Sequence, residues 1–175
     1  RPIFRNAVLM FQREFAHRLL AGPGDALYCR LSVNTQLLCK TTHLLKVSRN
    51  NFRPPPKVES DVVSLQPKQP QPVMNFVEWD GLLRICFSRK NKTLGALFRQ
   101  SGTVSMLREN YKTWLALHPP ASGGVTPLPE ADVFKESMIA ILEGLGMVEK
   151  RSQKLSIDDF LSILVAFNTQ NIHFA

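Results

Sequence analysis

The sequence predicts two parts: the end of a doubly wound α/β sheet, then a small all-helical domain. Three observations lead there. Ala7-Val8-Leu9-Met10-Phe11 is a continuous apolar run, the pattern of a strand buried on both faces of a parallel sheet. Pro67-Lys68-Gln69-Pro70-Gln71-Pro72 is polar and proline-spaced, which is linker character. Every periodic segment beyond it repeats at helical spacing. The expected boundaries are 1–67 for the sheet part, 68–74 for the linker and 75–175 for the helical part.

Each element follows from its local pattern. After the first strand, Phe15, Leu19 and Leu20 share a helix face until Gly22-Pro23-Gly24 stops it. A second helix is expected from Ser32, as N-cap, to about Leu44, with Val33, Leu37 and Leu38 as its apolar face. Strands are expected around Leu44 to Val47 and Val62 to Leu65. Three consecutive prolines join them, and prolines cannot donate backbone hydrogen bonds and favour an extended geometry. Three strands are too few for a complete doubly wound sheet, so the sequence reads as cut within an α/β domain.

In the helical part, Asn75 and Glu78 resemble a capping box, followed by a stripe of Phe76, Trp79, Leu82, Leu83, Cys86 and Phe87. A short helix carries Leu94, Leu97 and Phe98, and a longer one Val104, Leu107, Tyr111, Trp114 and Leu115. A loop is expected from Pro119 to Pro129. Phe134, Met138, Ile141 and Leu142 mark a helix ending on Gly144 as C-cap. The last helix begins near Ser156, with Asp159 completing its cap. Phe76, Trp79, Trp114, Phe134 and Phe160 are assigned to the core.

Composition narrows the function. Among 175 residues, 22 are basic and 14 acidic, a net charge of +8. Tyr28 to Lys57 holds six bases (Arg30, Lys40, Lys46, Arg49, Arg53 and Lys57) and no acid. Arg84 to Lys112 holds seven bases against Glu109 alone, while from Thr113 onward four bases face seven acids. Such clustering suits a nucleic-acid partner, with a solvated surface as the bland alternative. No apolar run is long enough for a transmembrane helix, and no secretory leader is expected. Cys29, Cys39 and Cys86 are too sparse for a disulfide framework and read as reduced intracellular thiols.

Several chemistries find no motif. There is no Walker-type loop and no complete Gly-x-Gly-x-x-Gly. Gly144-Leu145-Gly146 closes a helix instead. No Gly-x-Ser-x-Gly elbow occurs. Cys39 and His43, one helical turn apart if the second helix runs through them, have no third ligand, so no metal is expected. Asp158-Asp159 complements a helix dipole. What remains is Phe52, set among Arg49, Arg53 and Lys57 before the prolines. It is either a stacking platform for a nucleobase with phosphates beside it or a ring tucked onto the sheet edge.

Phe52-Arg53-Pro54-Pro55-Pro56-Lys57-Val58-Glu59-Ser60-Asp61-Val62-Val63 resembles the Phe-x-Pro-x-Pro-Lys-Val-x-Ser segment of the ribosomal RNA adenine dimethyltransferases. Further matching blocks stand in family order: Met10 to Ala16, Tyr28 to Val33, Arg89 to Leu94, Ile157 to Phe160 and Asn171 to Phe174. The last block resembles the eukaryotic nucleolar branch more than the bacterial one. The resemblance implies the end of a Rossmann-like methyltransferase domain followed by a helical domain that contacts RNA. It implies S-adenosylmethionine as cofactor, no metal, and dimethylation of two adjacent adenines in small-subunit ribosomal RNA within a pre-ribosomal particle. A monomer in the nucleolus, without membrane contact, is expected. By the same resemblance Phe52 would stack on the flipped target adenine and Arg53 and Lys57 would hold flanking phosphates. Arg84, Arg89, Lys90 and Lys92 would extend the RNA track. The family's glycine-rich cofactor loop and Asn-Leu-Pro-Tyr motif are not among these residues and would lie upstream, so the chain alone is expected to be inactive. The alternatives are a non-enzymatic RNA-binding ribosome-assembly factor and a mitochondrial transcription-factor relative.

Overall fold

The computed structural model describes residues 3–119 and 127–175, in two compact units, Arg1–Val73 and Met74–Ala175. The expected Pro119–Pro129 loop therefore lies largely outside the described residues.

The first unit is built on a three-stranded sheet: β1 (Ala7–Gln12), β2 (Cys39–Val47) and β3 (Ser60–Pro67) in the order β1-β3-β2. Because β3 is antiparallel to both neighbours, β1 and β2 run parallel, joined by α1 (Arg13–Leu20) and α2 (Arg30–Leu38). A parallel pair with a helical crossover and one reversed strand between them makes a mixed α/β unit, in which both hydrogen-bonded strand pairs are antiparallel. β1 departs from the reading of a strand buried on both faces. It is an edge strand against antiparallel β3, and Val8, Leu9 and Met10 stand 56%, 43% and 50% exposed.

The second helix also differs from its expected bounds. Ser32 is not the N-cap but the third helical residue. Its hydroxyl accepts from the N–H of N-cap Cys29 at 3.1 Å and donates to the Arg18 carbonyl, tying α2 to α1. The helix stops at Leu38 because Cys39 to Val47 pairs along the length of β3. Tertiary pairing overrides the apparent helical period, and Thr41 and Thr42 favour that outcome by β-branching. A bulge between His43 and Leu45 leaves Leu44 outside the register.

The second unit packs α3 (Phe76–Ser88), α4 (Leu94–Phe98), α5 (Ser101–Leu117), α6 (Ala131–Gly144) and α7 (Ile157–Thr169). Asn75 caps α3 through its side-chain oxygen, and Ser156 with Asp159 forms a reciprocal capping box on α7. Glu78 does not close a box with Asn75. It is buried, accepts the Phe174 N–H at 2.8 Å, and lies 3.4 Å from His173 Nδ1. That docks the C-terminal segment on α3, and a Cβ at Gly81 would meet the Phe174 carbonyl oxygen at 2.3 Å, so only glycine fits there. Phe98, Phe167 and Phe174 form one aromatic cluster, with Trp79 set edge-on to Phe160 nearby in the same core.

Trp79, Phe134 and Phe160 are core residues as expected, but Phe76 is 45% exposed on the first turn of α3. Trp114 is half-buried, with its ring stacked on His118 and His173 rather than packed among aliphatic side chains. The α6 terminus is closed by Gly146, not Gly144. Gly146 has φ +64°, its N–H reaches Glu143 O, and the Met147 N–H reaches Leu142 O, the Schellman pattern.

Candidate nucleic-acid interface

In the sheet unit the carboxyl ends of β1 and β2 lie at the same end, as does the β2–β3 connection. In doubly wound sheets that end is where ligands bind. A 3-10 turn at Arg49–Asn51, capped by Ser48, opens the connection. Phe52 follows it, half-buried, with Arg53, Pro54, Pro55 and Lys57 exposed. Among the described residues the Phe52 ring is in contact with no other aromatic ring. The Arg53–Pro54 peptide is cis. The far end of the connection is pinned to the start of α1: Arg13 N–H donates to Glu59 O at 2.9 Å and its guanidinium meets the Glu59 carboxylate at 2.9 Å. Both side chains are nearly half exposed, so the ion pair contributes up to about 1 kcal/mol. A cleft of about 440 Å3 lies beside this junction, lined by Gln12, Arg13, His17, Leu27, Val58 and Glu59.

Beneath the connection lies a cluster that sequence reading missed. Asp61 on β3 is fully buried, and its Oδ2 faces His17 Nε2 at 3.1 Å and His43 Nε2 at 3.2 Å. A charged residue alternating with buried Val63 on the covered face of a strand requires partners, and this was the available signal. His43 thus serves Asp61, not Cys39. Four steps along the strand separate Cys39 and His43 by about 13 Å, too far to chelate one ion. Among the described residues no group of three or more His, Cys, Asp or Glu side chains could hold a metal.

In the helical unit, Arg89, Asn91 and Lys92 form an exposed turn after α3, with Lys90 half-buried in it. Arg84 lies one turn earlier, where its Nε donates to Asp80 at 2.9 Å, so part of its charge is already balanced. The fold adds three cations that sequence order hides. Gln153 N–H donates to Lys90 O, Leu94 N–H donates to Lys150 O, and Thr93 forms an isolated bridge with Arg151. These contacts lay Lys150, Arg151 and Lys154 alongside the basic turn, although they belong to the segment whose net charge is acidic. Lys150 also lies 3.7 Å from Asp159. Burial alone would raise the Asp159 carboxyl, but hydrogen bonds from Ser156 and the nearby ammonium together hold it below its ordinary range.

A family model described as ribosomal RNA adenine dimethylase matches residues 1–122. The chain belongs to the ribosomal RNA adenine dimethylase family. It is 55% identical over 174 residues to a probable dimethyladenosine transferase of Drosophila melanogaster, covering 99% of this chain and 55% of that protein. It is 56% identical to one from Dictyostelium discoideum, covering 99% and 54%. A crystal structure of a dimethyladenosine transferase from Plasmodium falciparum superposes with a TM-score of 0.89 at 48% identity, covering all of this chain and 61% of that one. These relatives are eukaryotic, in keeping with the branch that the last sequence block resembles. The chain spans about half the length of the curated relatives it matches.

Proposed function

We propose that this dimethylase-family chain presents the target adenine and holds the RNA in an S-adenosylmethionine-dependent enzyme that dimethylates two adjacent adenines of small-subunit ribosomal RNA. The nucleolus and the pre-ribosomal particle are the setting this reading implies. The observation that carries it is Phe52 on a proline-stiffened, basic connection at the carboxyl end of the parallel strands. A base inside a helix cannot offer its amine to a methyl donor, so it must be extruded, and an aromatic ring can hold it by stacking. Arg53 and Lys57, exposed on either side of the prolines, suit the flanking phosphates. The turn Arg89 to Lys92, with Arg84 beside it, continues phosphate contact on the helical unit.

The methyl donor itself does not fit the residues present. The sheet unit has two glycines, Gly22 and Gly24, and both lie between α1 and α2, away from the carboxyl end of any strand. Among the described residues no glycine-rich loop follows a strand to cradle a nucleoside, so by this reading these residues alone neither bind the donor nor transfer methyl groups. A non-enzymatic RNA-binding assembly factor is the second reading, since the basic connection and the basic turn would hold RNA without any methyl donor.

The test is methyl transfer in the full-length protein. Stacking is worth about 1–3 kcal/mol by alanine substitution, so Phe52→Ala should lower adenine dimethylation by about tenfold to a hundredfold. Melting temperature should stay near that of the parent, and Phe52→Trp should retain much of the activity. Undiminished dimethylation in Phe52→Ala removes the presenting role. No dimethylation by the parent protein favours the assembly factor.

A further inference from the structure

A cavity of about 260 Å3 opens in the helical unit where α4 hands over to α5 and α6 begins. Arg99, Arg108 and Lys135 line it, with the hydroxyls of Ser101 and Ser105. Asp132 is the one acid in the lining, and it is engaged by Lys135 at 2.6 Å. That hydrogen bond and charge contact raise the Lys135 ammonium and lower the Asp132 carboxyl from their ordinary values, with Glu136 reinforcing Lys135 and Arg99 opposing it. Arg108 donates through Nε to Pro129 O at 2.8 Å, which fixes its guanidinium plane. Among the described residues neither Arg99 nor Arg108 meets a carboxylate, so the lining keeps an excess of positive charge.

We propose that this cavity is a subsite for a single backbone phosphate of RNA. Its volume falls below the roughly 300–1,000 Å3 of pockets for small organic ligands, which favours a group the size of a phosphate. Two guanidinium forks, an ammonium and two hydroxyls supply donors of the kind that bind phosphate oxygens. No aromatic side chain lines the cavity, so it offers no stacking surface and reads the backbone, not a base. Ser101 and Ala131 open α5 and α6, so the positive ends of two helix dipoles border the same space. The subsite rests on the reading that the chain holds RNA, and it extends that contact to three cations outside the Arg84, Arg89, Lys90 and Lys92 set.

The experiment measures binding of a fluorescein-labelled RNA hairpin to the whole 175-residue chain over a salt series. The variant is Arg99→Gln/Lys135→Gln, which leaves the Arg108 anchor to Pro129 intact. The expected result is a several-fold weaker affinity, a log–log salt slope smaller by about one, and an unchanged melting temperature. Arg99→Lys/Lys135→Arg should recover most of the affinity. Parental affinity and slope in the glutamine variant overturn the subsite while the RNA-holding reading stands. Failure of the parent chain to bind RNA removes both. A phosphoserine peptide that binds the parent more tightly than RNA, and is lost in the variant, assigns the cavity to a protein partner and also overturns the proposal.

Discussion

The two units satisfy their apolar side chains in different ways. The helical unit turns them inward on one another: Leu82, Leu83, Leu94, Leu97, Phe98, Leu107, Phe160 and Phe167 are all fully buried. The sheet unit leaves Val8, Leu9, Met10, Leu44 and Leu45 about half exposed, yet buries the carboxylate of Asp61 completely. The first is held by packing within itself. The second adds a strand ladder and a polar cluster to a smaller core of Ala16, Leu19, Tyr28, Val33, Leu37 and Val63, and leaves apolar strand surface open on its edges. An edge strand of that kind is a template for pairing with another strand.

The largest expected effect tests the packed side of this contrast. Phe98→Ala should cost the helical unit about 3–5 kcal/mol, whereas Val8→Ala in the sheet unit should stay within about 0.5 kcal/mol. Both tryptophans, Trp79 and Trp114, lie in the helical unit, so their fluorescence follows its denaturation alone. Equal destabilisation of the two units, the helical one read by that fluorescence and the sheet one by amide hydrogen exchange on β3, would erase the distinction.

Next comes the polar cluster. His17→Ala or His43→Ala removes one hydrogen-bond partner of a buried carboxylate and should destabilise the sheet unit by about 1.5–3 kcal/mol. The double variant should lose more than the sum, because the second deletion leaves Asp61 with no imidazole partner. Amide hydrogen exchange on β3 reads the effect, and strict additivity would show that the histidines do not share the load.

A smaller effect is confined to alkaline pH. Burial pushes the Cys86 thiol up to about 12. An unfolded cysteine loses its proton near its ordinary value of about 8.5, while folded Cys86 keeps it. Helical-unit stability is therefore complete below that value and falls as pH rises toward 12, by roughly tenfold in the folding constant per pH unit. Denaturation curves at stepwise pH should show the fall, and Cys86→Ala should flatten it. Iodoacetamide at mild pH should modify half-exposed Cys29 and Cys39 before Cys86.

The smallest stability effect belongs to the exposed basic turn. Arg89→Glu/Lys92→Glu should change stability by no more than about 0.5 kcal/mol, yet weaken binding to unrelated RNA sequences and reduce the salt slope. An unchanged slope would return these residues to a solvated surface.

The same contrast governs what the sequence made legible. The helical unit was readable because caps and apolar spacing are local: Asn75, Ser156 and Asp159 stand where their types predict. Among the errors there, Phe76 and Trp114 are aromatic residues on stripes whose outer members face solvent, and periodicity does not mark where a stripe ends. Glu78 and Gly144 fit a cap pattern, but Glu78 is taken by Phe174 and the chain reverses two residues beyond Gly144, at Gly146. In the sheet unit, Cys39 to Leu44 misled because strand or helix was decided by pairing with β3, more than a dozen residues away. Of the candidate site, Phe52, Arg53 and Lys57 were visible as a contiguous segment. Asp61 with His17 and His43, and Lys150, Arg151 and Lys154 beside the turn at Arg89, were not, because only the fold brings them together.

The contact between Phe174 and Glu78 bears on the order in which the molecule can be completed. Glu78 is made 96 residues before the N–H that satisfies its carboxylate. As the chain emerges from the ribosome, α3 can form as a helix within its own segment, but its buried acid and the hollow over Gly81 await residue 174. Closure of the helical unit is thus a late event in synthesis, and a stalled chain that stops before Ile172 would expose both. Such a chain would leave the Glu78 carboxylate and the Phe98 and Phe167 rings without the Phe174 contact that covers them, although every helix had already been translated.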